Sequence, residues 1–133
     1  MLLFVCDSNA ARSPMAEAVF RHIAPEIPVQ SAGRSVSHVR NEVRLALDEA
    51  GMDSYGLRSK SMAGVDFDDV LLIVGLCLPS EAPGLPRGKE LRWWSLPDPL
   101  CAPEEERMES MRALLDELQR RLRPLSVELS SRS

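Results

Sequence analysis

The stretch Cys6-Asp7-Ser8-Asn9-Ala10-Ala11-Arg12-Ser13-Pro14 puts a thiol at one end of a short loop and a guanidinium at the other, with five residues between them. Backbone N–H groups from Asp7, Ser8, Asn9, Ala10, Ala11, Arg12 and Ser13 can curl toward one point in a loop of this size, and a helix starting at its end aims its positive pole at the same point. The expected result is a socket for a tetrahedral oxyanion such as phosphate, sulfate or arsenate, with the Cys6 sulfur at its floor. The loop amides, the helix start and Arg12 each favour a thiolate there. Arg12 supplies a planar fork that can grip two oxygens of the anion. Ser13 can donate to the Cys6 sulfur, and it can equally cap the helix. Asn9 tolerates a left-handed turn and can bond loop carbonyls as a support. Asp7 would repel an anion, so its side chain is expected to point to solvent.

Three further residues could take part. Asp98, in Pro97-Asp98-Pro99, sits on a rigid turn that can hold a carboxyl over a neighbouring loop. Cleavage of a phosphoester by a thiolate needs an acid to protonate the leaving oxygen, and Asp98 is the candidate. Cys77 follows the strongest apolar run of the chain and could attack a sulfur adduct on Cys6 to form a disulfide. Its plainer reading is a small buried hydrophobe. Cys101, three residues after Asp98, could lie on the same rim as an alternative resolving thiol.

These groups need a scaffold. Leu2 to Val5 reads as a strand buried on both faces. Ser13, Pro14 and Glu17 mark the start of a helix whose first-turn acid favours the dipole. A second strand is expected over 28–33, a second helix over 39–50 with Gly51 as its stop, a third strand over 70–74 and a fourth, edge strand over 90–96. The last helix is expected over 103–122, with Met108, Met111, Leu114, Leu115, Leu118 and Leu122 on one face. Alternating strands and helices predict an α/β three-layer sandwich, a four-stranded parallel sheet of the flavodoxin-like kind with helices on both faces. The Cys6 loop then lies at the carboxyl edge of the sheet, where open α/β folds bind ligands. One catalytic domain over 1–125 and a flexible tail over 126–133 are expected.

The 133 residues carry a net charge of −4, which argues against a nucleic-acid binder. Met1 leads directly into a strand without a basic leader, and no apolar stretch is long enough to span a bilayer, so a cytoplasmic, membrane-free monomer is the expectation. Three cysteines fit reactive or buried thiols better than a disulfide framework. His22 and His38 are isolated and read as surface residues.

Four segments together resemble the low-molecular-weight protein tyrosine phosphatase superfamily, and within it the thioredoxin-coupled arsenate reductases. Phe4-Val5-Cys6 through Arg12-Ser13-Pro14-Met15-Ala16-Glu17 is similar to the family's phosphate-binding loop, and Ser31-Ala32-Gly33 to its second-strand motif. Leu76-Cys77 falls where the reductases carry a second redox cysteine, and Leu85-Pro86 through Trp94 to Asp98-Pro99 is similar to a Leu-Pro…Trp…Asp-Pro segment. The resemblance implies that Cys6 attacks arsenate, arsenite leaves, and Cys77 closes a disulfide that an external reductant (thioredoxin, or glutaredoxin with glutathione) reopens. The alternative it implies is a phosphatase acting on phosphotyrosine or aryl phosphates through a cysteinyl-phosphate, with Asp98 as acid. A non-catalytic anion sensor on the same fold is a third reading. Thioredoxin-linked members carry a third cysteine shortly after the second, and the stretch 78–84 has none. Lys60 stands where some reductases place an acid that helps bind potassium; its ammonium would fill that role, so no bound metal or other cofactor is expected. Tyrosines common after Asp-Pro in the phosphatases are replaced by Leu100-Cys101.

Overall fold

Five consecutive apolar side chains with no turn residue among them make β1 (Leu2–Cys6), and every one is buried. In the computed structural model, which describes residues 1–82 and 84–132, β1 is joined by β2 (Val29–Gly33), β3 (Leu72–Gly75) and β4 (Glu90–Trp93). Pro83 and Ser133, which fall in the expected loop and tail, lie outside the described residues. The strands form one parallel sheet in the order β2-β1-β3-β4, with β4 at an edge. The register sets Cys6 beside Gly33, Val5 beside Gly75, and Gly75 beside Trp93. The carboxyl edge therefore carries two glycines and an indole next to the thiol.

Successive side chains alternate between faces. Leu2, Phe4, Leu72 and Val74 meet α1 (Arg12–Ile23), α2 (Asn41–Glu49) and α3 (Arg107–Ser130) in the main core. Leu3, Val5, Ala32 and Ile73 face the other way, onto Met62, Val65, Phe67 and Leu85. The helical cover is thus unequal. Three α-helices pack on one face; two single-turn 3-10 helices, Met62–Gly64 and Phe67–Asp69, lie across the other. The apolar run from Val70 enters the sheet only at Leu72, and Leu71 is exposed, its N–H held by the Met1 carbonyl.

The chain's end differs from its expected form. Residues 126–130 are not a flexible tail: α3 starts after a 3-10 turn at Glu104–Glu106 and runs through Pro124 to Ser130. A proline inside a helix costs about 3 kcal/mol. Burial of Leu122 and Leu125 on either side returns about 1.5–3 kcal/mol each. Glu128 adds ion pairs with Arg92 on β4 and with Arg132. Pro124 itself sits on the exposed face, where the carbonyl it leaves unbonded can meet water.

Candidate active site

The loop after β1 owes its shape to what holds its outer side. The carbonyls of Cys6, Asp7 and Ala10 accept from the N–H groups of Arg34, Ser35 and Arg40, and the Ser8 carbonyl accepts from the Ser59 hydroxyl. A trans peptide points its N–H opposite to its carbonyl. The N–H groups of Asp7, Ser8, Asn9 and Ala11 are therefore turned away from that flanking segment, as an anion socket requires. Ala10 and Ala11 are buried and contribute backbone only. Asp7 leans outward, half-exposed, with Arg34 Nη2 2.9 Å from its Oδ1.

Asn9 takes the left-handed conformation, φ 51°, and is fully buried. Its side chain does not bond loop carbonyls. Its Oδ1 accepts from the Lys60 backbone N–H at 2.7 Å, which turns its amide toward Ser13 Oγ, also at 2.7 Å. The Ser13 oxygen is thereby an acceptor from Asn9, and its own proton is free to point at Cys6 Sγ, 2.8 Å away. Ser13 does not cap α1: the helix starts at Arg12 with Ala11 before it and no side-chain cap. The hydroxyl is committed to the sulfur instead.

Arg12 is 6% exposed, and its Nη1 donates to the Leu76 carbonyl at 3.3 Å and the Leu96 carbonyl at 3.1 Å. Those residues follow β3 and β4, so the ends of two strands fix the guanidinium. Its Nη2 lies 3.8 Å from Asp98 Oδ2, which brings the Asp-Pro turn to the loop. Asp98 Oδ1 accepts from the Leu100 N–H at 3.0 Å, leaving Oδ2 as the oxygen nearer the socket.

Cys77 is wholly buried and packs with Cys6, Ala82 and Trp93 in one small cluster. Burial and the charge on the Cys6 sulfur push its thiol up to about 11. Cys101 is exposed and is not in that cluster; it lines a cleft of about 680 Å³ with Asp98, Leu114 and Arg121. Tyr55 is exposed, and Phe67 packs beneath the other face of the sheet. The aromatic wall nearest the thiols is Trp93.

Sequence reasoning missed the supports. Glu17 is not a first-turn acid favouring the dipole: α1 starts at Arg12 and its first turn holds no acid. Glu17 is 3% exposed and accepts from Ser31 Oγ at 2.6 Å, lies 3.2 Å from Lys60 Nζ, and pairs with Arg21. Lys60 bonds Asn9 through its N–H and accepts from the Gly33 N–H through its carbonyl. One buried carboxylate thus ties α1, β2 and residue 60 to the loop. The Lys60 ammonium occupies that carboxylate itself. No group of three or more metal-ligating side chains occurs among the described residues.

The arrangement can bind a tetrahedral oxyanion, attack it with sulfur, protonate a leaving oxygen and present a second thiol to the first. The chain is 32% identical over 77 residues to a glutaredoxin arsenate reductase of Synechocystis sp., a match over 57% of this chain and 59% of that protein. It is 30% identical over 108 residues to an arsenate reductase of Staphylococcus aureus, covering 79% of this chain and 82% of that one. The first curated relatives are thus matched over only 54–59% of their own length. The solved arsenate reductase of Archaeoglobus fulgidus superposes with a TM-score of 0.81 at 32% identity, covering 95% of this chain and 98% of that chain. Residues 1–82, which contain the socket, Glu17, Lys60 and Cys77, match the family model described as low molecular weight phosphotyrosine protein phosphatase. The chain belongs to that family.

Proposed function

We propose that this protein is an arsenate reductase-like enzyme. Arsenate sits on the loop N–H groups and Arg12, and the Cys6 thiolate attacks arsenic, displacing one oxygen as water. Cys77 then attacks the Cys6 sulfur. The Cys6–As bond breaks, its electron pair stays with arsenic, and arsenite leaves as Cys6 and Cys77 become a disulfide. Two thiols have lost two electrons and arsenic has gained them. An external thiol resets the pair. Several relatives and solved neighbours bear the name arsenate reductase, and one bears glutaredoxin in its name, which supports this reading and the thiol donor. The absence of any described helix long and apolar enough to cross a membrane is compatible with the cytoplasmic setting we assign.

The observation that carries the proposal is the burial of Cys77 against Cys6. A phosphatase needs no thiol there. One observation favours the second reading, hydrolysis of an aryl phosphate: Asp98 stands beside Arg12, where a leaving-group acid belongs. The same first step serves both reactions, so weak ester hydrolysis is expected from a reductase.

Cys77→Ser separates them. Arsenate turnover is expected to fall by more than about a thousandfold, because one of two obligatory sulfurs is gone. Hydrolysis of p-nitrophenyl phosphate is expected to stay within a few-fold. Retained arsenate turnover in the variant would overturn the reductase reading.

A further inference from the structure

Cys77 is the second residue past the end of β3, and the segment that fixes it there comes from β4. β1 holds this stretch as far as the Leu76 N–H, which donates to the Val5 carbonyl at 2.9 Å. Residues just past β4 then take over. The Gly75 carbonyl accepts from the Trp94 N–H at 2.7 Å, the Leu76 carbonyl from the Leu96 N–H at 3.2 Å, and the Cys77 carbonyl from Ser95 Oγ at 3.3 Å. Downstream the chain enters a 3-10 turn at Pro79–Glu81, with Leu78, Pro79 and Ser80 exposed. The backbone of Cys77 is therefore set from the side that carries Trp93.

The Trp93 ring adds a side-chain support at the same place. Trp93 lies opposite Gly75 in the register, and its Cε3 and Cζ3 stand where a Gly75 Cβ would go. The bare glycine lets the indole lie against the strand backbone two residues before Cys77. The ring packs on the cluster of Cys6, Cys77 and Ala82, and among the described residues it is the one large apolar side chain to do so. A cysteine sulfur has three staggered positions, and close-packed neighbours remove those they overlap. Cys6 has other supports. Its backbone pairs with Gly33, its carbonyl accepts from the Arg34 N–H at 3.3 Å, and its sulfur lies 2.8 Å from Ser13 Oγ. The two sulfurs are thus held by different devices, one from β2 and the loop, the other from β4.

We infer that Trp93 is a positioning residue for the second chemical step and not for the first. The inference rests on the reductase reading above. In the second step the Cys77 sulfur bonds to the Cys6 sulfur and the Cys6–As bond breaks. The electron pair of that bond stays on arsenic, and the Cys77 proton goes to an arsenite oxygen. The incoming sulfur must stand in line behind the breaking bond, and Trp93 acts by keeping Cys77 there. The first step uses the Cys6 sulfur, the loop N–H groups and Arg12. Trp93 therefore governs how often a bound arsenate is carried on to arsenite.

The test follows the two steps separately in Trp93→Ala. Fully reduced protein is mixed with saturating arsenate and quenched with acid, and the Cys6–Cys77 bridge is measured against time by mass spectrometry. Its rate is expected to fall about a hundredfold, the usual cost of moving a reacting group by about 1 Å. Turnover of p-nitrophenyl phosphate, which needs no second sulfur, is expected to stay within a few-fold of wild type. Trp93→Phe, which keeps a ring against Gly75, is expected to recover most of the bridging rate. An unchanged bridging rate in Trp93→Ala, or an equal fall in bridging and ester hydrolysis, would overturn the inference. Should Trp93→Ala fail to fold, Trp93→Leu, which keeps an apolar side chain on the cluster, is read in its place with the same two outcomes. Failure of the reductase reading is distinct: it appears as a wild-type protein that forms no arsenate-dependent bridge, and it overturns both.

Discussion

Cys77 is the residue whose surroundings say most about order of events. Its thiol is pushed from 9.0 up to about 11, by burial first and by the Cys6 sulfur second, while Arg12 pulls the other way. Near neutral pH it stays protonated, and loss of charge from the Cys6 sulfur would remove only the second of the two causes that raise it, leaving burial in place. The same shift has a consequence for stability. The folded state disfavours the ionised thiol, so its contribution is fully present below pH 9 and is lost as pH rises toward about 11. Wild-type protein minus Cys77→Ser, compared by urea unfolding at pH 8 and pH 10.5, should show a pH-dependent difference on the order of 2 kcal/mol. A flat difference would mean the thiol is not in this environment. Such a site was only partly legible. Cys6, Arg12, Asn9 and Ser13 lie in one contiguous loop, so their placement followed from spacing alone. The Ser13 hydroxyl has two local options, and only the Asn9 amide, fixed by Lys60 from 51 residues away, decides for the sulfur. Glu17 looks like any first-turn acid until Ser31 and Lys60 close over it.

At the scale of elements, the loop depends on glycines in the strands beside it. A side chain on Gly33 would put its Cβ 2.6 Å from the Asn9 nitrogen and 2.8 Å from the Ser8 carbonyl carbon, both backbone atoms of the socket. Backbone cannot swing away as a side-chain tip can, so the loop must shift. Gly33→Ala is therefore expected to lower kcat/KM for arsenate and for aryl phosphate together, by about a hundredfold, since displacements near 1 Å have that effect on positioned groups. The protein should remain folded by circular dichroism. A fully active Gly33→Ala protein would show that the loop does not need this contact. Gly75 plays the matching part for Trp93, whose ring lies where a Cβ would stand. The sequence showed the Ser-Ala-Gly motif but not its reason, because the clash involves a segment more than twenty residues away. The strands were legible from apolar runs. The end of α3 was not, because Pro124 and the serines argue locally for fraying, while Leu125, Leu129 and the Arg92–Glu128 pair hold the helix through contacts with distant elements.

Over the whole molecule, three strand ends converge on the Cys6–Arg12 loop. β1 delivers Cys6, the chain after β3 delivers Cys77, and the chain after β4 delivers Asp98, with Arg12 bonded to the carbonyls of both later segments. That convergence is a property of the parallel sheet, whose carboxyl ends all lie on one edge, and it explains why a fold expected from alternation alone already pointed to the site. The thiols are unevenly placed: Cys6 and Cys77 are buried together, and Cys101 is exposed in a cleft that the acid turn itself helps to line. The most direct measurement is mass spectrometry of the fully reduced protein after one turnover with arsenate, with peptides mapped for disulfides. The account predicts a Cys6–Cys77 bridge that forms only with arsenate and in step with arsenite release, leaving Cys101 free. Arsenite release with no bridge, a bridge to Cys101, or steady aryl phosphate hydrolysis with no arsenite would contradict it.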